Sequence, residues 1–285
     1  MKNNYCHRKL TIIQANAGQG VSRVAEILSV SDLILLFVKR DFVTLYKQTV
    51  LGPLWFVIQP LMMTIVFTVV FGKIAKIPTD GIPPFLFYLS GLVPWGYFSA
   101  CLDKNSSIFV SNSGIFSKVY FPRLAVPIAN VISNLIAFAV QFVTLILFIL
   151  YFSYSGSTVS PNWLLAWIVP FLLLQMAMLG MGIGLIISSM TVKYRDLMIV
   201  VPFGIQLWMY ATPIVYPLSE AGANLQFLLS FNPMTATIET FRYIFLGKGM
   251  INPLSILLSV TTSFSIFLIG IFLFWKSERN FIDTV

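Results

Sequence analysis

The sequence predicts an all-α integral membrane protein: six transmembrane helices, an N-terminal amphipathic interface helix, and re-entrant helices between spans five and six. Three observations lead there. Hydrophobic residues make up 58% of the 285 and charged residues only 10%, where a soluble domain averages roughly 45–50% and about 25%. The 69 residues from Leu124 to Val192 carry no charge, a stretch for which a soluble core has no place. Apolar segments recur from Leu51 to Trp275 in lengths near the ~20 residues that cross a bilayer as helix.

Residues 1–50 read as a cytoplasmic N-terminal segment. Its first 30 residues mix Lys2, Arg8, Lys9, Arg23 and Glu26 with polar residues and have no apolar core, so no signal peptide is expected. In Ser31–Lys47, at a helical 100° per residue, Ile34, Phe37, Val38, Phe42 and Leu45 share one face, and Asp32, Lys39, Arg40 and Lys47 the other. This helix is expected to lie on the membrane surface. Asp41 falls inside its apolar arc, which either breaks the pattern or marks a place where protein packs.

The spans are expected at Leu51–Gly72, Ile82–Leu102, Leu124–Phe152, Trp163–Met190, Leu197–Tyr216 and Ile251–Trp275, with residues 276–285 as a cytoplasmic tail. The uncharged run must divide, because as one helix it would be roughly 100 Å long. Ser153–Asn162, with Ser, Gly, Thr and Pro161, supplies the break. With the N-terminus inside, Lys and Arg number 14 on the cytoplasmic side and 4 on the other, so both termini are expected in the cytoplasm. Trp55, Trp95, Trp163, Trp208 and Trp275 fall near several span ends, where amphipathic rings favour the headgroup layer, while Trp167, and alternatively Trp208, lie deeper.

Several chemistries are excluded by residue count. The single histidine, His7, rules out His-based triads and zinc clusters, and no GxxxxGK[ST] occurs, so the chain is expected to be no enzyme and no ATPase by itself. No charge lies inside a predicted span, which disfavours ion coupling. The net charge of +8 is scattered between apolar segments, as topology requires, and forms no stripe for nucleic acid. Cys6 and Cys101 form no metal or redox motif, and neither is expected in a disulfide. Gln59, Gln141, Gln175, Gln206, Asn130 and Asn134 within the spans are expected to bond between helices, or else to line a polar path. Gly180 and Gly184 form a small-xxx-small pair suited to close helix packing.

Two connections exceed what a turn needs. Asp103–Arg123 carries Phe109, Phe116, Tyr120 and Phe121, expected to be exposed and to need a partner or the membrane interface. Glu220–Lys248 is too hydrophobic for a free loop. Within it Asn232–Pro233 starts a helix, Gly247 ends it, and Glu239 and Arg242 are spaced for an ion pair. Two short helices dipping into the outer leaflet fit this pattern and point to a pathway exit.

Taken together, LYKQTVLGPLWFVIQP at 45–60, SNSGIFSKVYFPRLAVP at 111–127, VKYRDL at 192–197, TPIVYP at 212–217, NPMTATIETFRY at 232–243 and WKSERNFID at 275–283 resemble one family. It is the permease subunit of type-2 ABC exporters that move polysaccharides, above all the O-antigen export permeases. The resemblance implies that 51–275 is a six-span type-2 ABC transmembrane domain in the bacterial inner membrane. It implies a homodimer with a channel on its axis and two copies of a separate nucleotide-binding ATPase subunit. That partner would use Mg-ATP, and this chain would hold no cofactor. The cargo would be a polysaccharide on undecaprenyl pyrophosphate. The coupling helix would lie in Asp103–Arg123, with Lys104, Phe109, Phe116, Lys118, Tyr120 and Arg195 as candidate ATPase-coupling residues. A periplasmic gate would include Asn232, Pro233, Glu239 and Arg242.

The chemistry of such a cargo suggests further roles. Sugar rings lie on aromatic faces, so Trp55, Phe56, Phe203, Trp208 and Tyr210 are candidate channel liners, with Gln59 and Gln206 as hydroxyl partners. Cationic Lys39, Arg40 and Lys47 suit the pyrophosphate. Alternatives are a drug or lipid efflux permease of the same fold and a membrane anchor for glycan-synthesis enzymes.

Overall fold

A computed structural model describes residues 30–46, 51–116, 121–156 and 159–282, and every regular element among them is helical. The helices are α1 (Ser31–Tyr46), α2 (Gly52–Ile74), α3 (Pro84–Ser106), the single turns α4 (Ile108–Ser111) and α5 (Ser113–Phe116), and α6 (Ala125–Tyr154). There follow α7 (Trp163–Thr191), α8 (Leu197–Tyr210), α9 (Ala223–Ser230), α10 (Pro233–Leu246) and α11 (Pro253–Ile282). Five of them, α2, α3, α6, α7 and α11, are long and apolar enough to cross a membrane. The fifth expected span is shorter than the sequence suggested: α8 has 14 residues, about 21 Å of helix against the ~30 Å of a hydrocarbon core. Its expected continuation, 211–216, leaves the helical path at Thr212-Pro213 because proline at 213 has no N–H to continue the ladder. Helices α2 and α3 also run slightly past their expected ends, so Lys73, Asp103 and Lys104 sit in last turns.

Helix α3 is the axis of the bundle, buried over most of its length and touching α2, α6, α7, α8 and α10. Lipid tails are as apolar as leucine, so helices in a membrane adhere through close packing and polar bonds and gain little from the hydrophobic effect. Helix α7 shows how. A Cβ on Gly180 would stand 2.9 Å from the Phe98 carbonyl oxygen of α3, and one on Gly184 would stand 2.6 Å from the Asn105 Cβ. On the opposite face a Cβ on Gly182 would meet the Phe267 Cα of α11 at 2.7 Å, and Gly270 of α11 abuts Gly182 in return. Gly180 and Gly184 thus bring α7 against α3 as expected, and Gly182 brings its opposite face against α11.

Polar bonds supplement these contacts. Gln175 of α7 donates to the Ser259 hydroxyl of α11, which donates to the Pro233 carbonyl at 2.5 Å. Asn130 of α6 donates to Asn105 of α3 at 3.1 Å, and Asn134 reaches the Cys101 sulfur at 3.7 Å. Three of the six polar residues expected inside spans are therefore interhelical, while Gln59 and Gln206 are exposed and Gln141 lies half-buried near Gly96. Cys101 is free and buried; Cys6 lies outside the described residues.

Replacing Gly182 by Leu is expected to cost about 1–3 kcal/mol, because the Phe267 backbone cannot yield as a side chain would. Thermal unfolding of the detergent-solubilised protein should fall by several degrees, whereas Gly204→Ala in α8, with nothing within 4 Å, should not lower it. Equal midpoints for the two variants would refute the packing role of α7.

Candidate functional site

At the end of the bundle formed by α10, the structure concentrates buried polar chemistry. Asn232 caps α10, its Oδ1 accepting the Met234 N–H at 3.0 Å, and Pro233 occupies the first turn where no N–H is needed. Gly247, at φ +72°, ends the helix in the left-handed region, as expected from sequence. The same Asn232 serves the broken end of α8. It donates to the Ala211 carbonyl at 3.2 Å and the Thr212 hydroxyl at 2.9 Å, and accepts the Trp208 indole N–H at 3.3 Å.

Arg242 completes that repair. It is only 2% exposed, and its Nη1 and Nη2 donate to the Pro213 and Ile214 carbonyls at 2.5 and 3.0 Å. Nη1 also meets Glu239 Oε1 at 3.3 Å, so the ion pair expected from the i, i+3 spacing is present, and both members are buried. The guanidinium lies 3.8 Å from the centroid of the Phe87 ring of α3. Glu239 uses its other oxygen to accept the Met250 N–H at 3.0 Å, closing the loop after α10. A short bond from Ser219 to Asp80, 2.7 Å, fastens the segment after 217 to the loop before α3.

Sequence reasoning named Asn232, Pro233, Glu239 and Arg242 but not the acceptors they serve. Pro213, Ile214, Phe87 and Asp80 were missed. The signal for the first two was there, since the prolines of TPIVYP interrupt an apolar helical pattern and must leave carbonyls unpaired.

At the opposite end a second core forms from α1, the α4–α5 turns, α6, α7 and the last turns of α11. Here the expectation of exposed loop aromatics is overturned. Phe109 is fully buried and stacks on Phe274 at 4.8 Å, Phe116 packs on Phe109 and Phe121, and Phe37 of α1 meets Phe121 at 5.6 Å. The rings find their partners within the chain, because α1 and α11 end over the loop. Arg123 stands over Phe116 and pairs with Glu278 at 3.8 Å. Among the described residues of the connection, Asp103 and the polar tip, Ser111, Ser113 and Gly114, are exposed. Lys104 is half-buried and Arg195 exposed; Lys118 and Tyr120 lie outside the described residues.

Helix α1 carries its face inward through Ile34, Phe37 and Val38, against α6 and this core, while Leu35 and Leu36 remain exposed. The amphipathic helix expected on the membrane surface is therefore seated on protein on one side. Asp41 is partly buried and pairs with Arg40 at 2.7 Å, consistent with protein packing in the apolar arc. Lys39 is exposed, and Lys47 lies outside the described residues.

The remaining candidates lie on α2 and α8, which flank α3. Trp55, Gln59, Phe203, Gln206 and Tyr210 are exposed, and Phe56 is half-buried. Trp208 differs from them, with its ring edge-on to Trp95 at 6.2 Å and Phe98 at 5.2 Å and its N–H on Asn232. Trp95 is buried and Trp208 half-buried, and both pack in the main core. The aromatic pair occupies a side of α3 that the sequence pattern treated as a span end.

Substituting Arg242 by Met strands Glu239 as a lone buried carboxylate, at a cost of about 3–5 kcal/mol. Adding Glu239→Gln is expected to restore part of the loss, read as folded protein recovered from membranes. Losses that simply add would overturn the pairing.

Comparison with known proteins places this geometry in a family. A family model described as ABC-2 type transporter matches residues 32–246. The O-antigen export system permease protein RfbA of Klebsiella pneumoniae is 28% identical over 253 residues, 88% of this chain and 94% of the relative. A protein of the same name from Myxococcus xanthus is 27% identical over 78% of this chain and 83% of its own length. The polysialic acid transport protein KpsM of Escherichia coli is 24% identical over 71% and 77%. The matched segment runs through four of the five long helices and both polar ends, and the chain belongs to the ABC-2 type transporter family of multi-pass membrane proteins.

Proposed function

We propose that this chain is the permease of an ATP-driven exporter that carries an undecaprenyl-pyrophosphate-linked polysaccharide, O-antigen in the first instance, across the bacterial inner membrane. The observation that carries the reading is similarity over nearly the whole length of O-antigen export permeases. Two chains form a homodimer, and two copies of a separate ATPase subunit, fuelled by Mg-ATP, drive it. Both termini are cytoplasmic, in keeping with the distribution of Lys and Arg. Helix α8 and the segment 211–216 together make the sixth crossing, and α9 and α10 are re-entrant from the periplasmic side.

The exposed faces of α2 and α8 support a pathway for sugar. Gln59 and Gln206 are long amides without a place in the core, and a polar face is tolerated at membrane depth where it lines water. Trp55, Phe56, Phe203 and Tyr210 offer weak stacking surfaces over which a polymer slides, and Trp208 backs them from the core. The α10 end is the periplasmic gate, with Asn232, Pro233, Glu239 and Arg242 fixing its shape.

Coupling enters at the other end. The tip Ser111–Gly114 and the turn bearing Arg195 meet the ATPase, together with Lys118 and Tyr120, while Lys104 lies beneath. Phe109 and Phe116 act from within, binding the tip to α1, α6 and α11 so that a push on it moves all three. The pyrophosphate meets Lys39, Arg40 and Lys47. Lys39 is the freer cation in the structure, whereas Arg40 must exchange Asp41 for phosphate.

Deleting the gene should remove the polysaccharide from the surface and accumulate undecaprenyl-linked glycan inside, with the intact gene restoring both. Unchanged surface polymer in a strain without a redundant exporter would sink the reading. In complemented cells, Phe203→Ala combined with Tyr210→Ala should reduce export or alter chain length at normal membrane level. Export and chain length equal to the wild type would remove these two residues from the pathway.

A further inference from the structure

Arg242 has two sets of partners that differ in kind. Glu239 and the Phe87 ring belong to helices packed on one another, and together they compensate the charge. The Pro213 and Ile214 carbonyls belong to the linker 211–217, which side chains of Arg242 and Asn232 tie down. If the linker departs, the guanidinium keeps its carboxylate and its ring. Two buried atoms beside this cluster, the Arg242 Nε and the Tyr88 hydroxyl, have no hydrogen-bond partner among the described residues. Both residues are essentially inaccessible.

The linker has no such reserve. Its carbonyls, once freed, must find donors, and hydrocarbon has none. Water or the hydroxyls of a sugar supply them.

We propose that Arg242 is a positioning residue that latches the linker 211–217 shut through the Pro213 and Ile214 carbonyls and releases it to a hydroxyl-bearing occupant of the pathway, not to lipid. The inference rests on the export reading and deepens it, since it makes opening conditional on a hydrated or sugar-filled exit. Gly91 of α3 shows how close the fit is. A Cβ there would meet Arg242 Nη2 at 3.0 Å and Ile214 Cγ2 at 3.1 Å, the two sides of the latch.

The test separates latch from scaffold by measuring leak in resting cells. The full chain is expressed in its deletion strain, without lactose permease and with cytoplasmic β-galactosidase, and entry of o-nitrophenyl galactoside is read per unit of membrane protein. Gly91→Ala wedges the latch while keeping every charge, and Arg242→Lys keeps the charge but loses the planar fork that holds two carbonyls at once. Both should raise entry several-fold over the wild type, and Arg242→Lys should retain part of the surface polysaccharide. A purely structural role would change the amount of protein and not the leak per molecule. Wild-type leak in whichever of these variants reaches the membrane overturns the latch. Failure of the wild-type chain to restore surface polysaccharide overturns the export reading instead, so the two outcomes are distinct.

Discussion

Every departure from the helix at membrane depth must bring its own hydrogen-bond donors, because hydrocarbon offers none. That constraint organises the α10 end. Helix α8 stops at Tyr210, the ladder ends with the Thr212 N–H on the Met209 carbonyl at 3.2 Å, and the segment remains buried at Thr212, Pro213, Ile214 and Val215. Helix α10 answers with two side chains, Asn232 for the Ala211 carbonyl and Arg242 for those of Pro213 and Ile214. The buried carboxylate of Glu239 is then required in turn, since an arginine this enclosed needs a counter-charge. The short helix, its cap, its ion pair and the shape of the linker are consequences of one interrupted apolar helix.

Packing at the bundle centre follows from the same solvent. Where burial of apolar surface brings little advantage over lipid, contact distance decides, and glycines on both faces of α7 allow it to approach α3 and α11 at backbone range. The end near α1 follows a different rule. There the second core gathers Phe37, Phe109, Phe116, Phe121 and Phe274 from four parts of the chain, and rings replace glycines as the means of adhesion. An aromatic cluster of this kind is what a soluble domain would build.

Much of this was legible in the sequence, and the failures share a cause. The break at Ser153–Asn162, the capped helix from Pro233 to Gly247 and the Glu239–Arg242 pair follow from local rules of turns, caps and i, i+3 spacing, and all are present. The loop aromatics were misjudged because their partners, Phe37 and Phe274, lie far along the chain, and composition cannot show which segments meet. Trp95 was read as lying near a span end for the same reason, although it packs edge-on to Trp208. The fifth span was drawn too long because hydropathy registers apolar residues without regard to whether proline lets them be helical. Most candidate residues on α2 and α8 are exposed, on two helices that flank α3.

Helix α3 links these elements mechanically. One end bears Phe87 and Gly91 against Arg242 and Ile214; the other carries Cys101 and Asn105 against α6 and α7 and runs into the α4–α5 turns. A displacement of the polar tip therefore reaches α3 directly through the chain and indirectly through α7, whose Gly180 and Gly184 leave no slack against it. Because packed interfaces are bistable and not continuously deformable, a small shift of α3 along this seam is expressed at the far end as contact made or broken. The tightest contact there is that of Gly91 with the guanidinium and Ile214, so the linker is the element whose position α3 most directly sets.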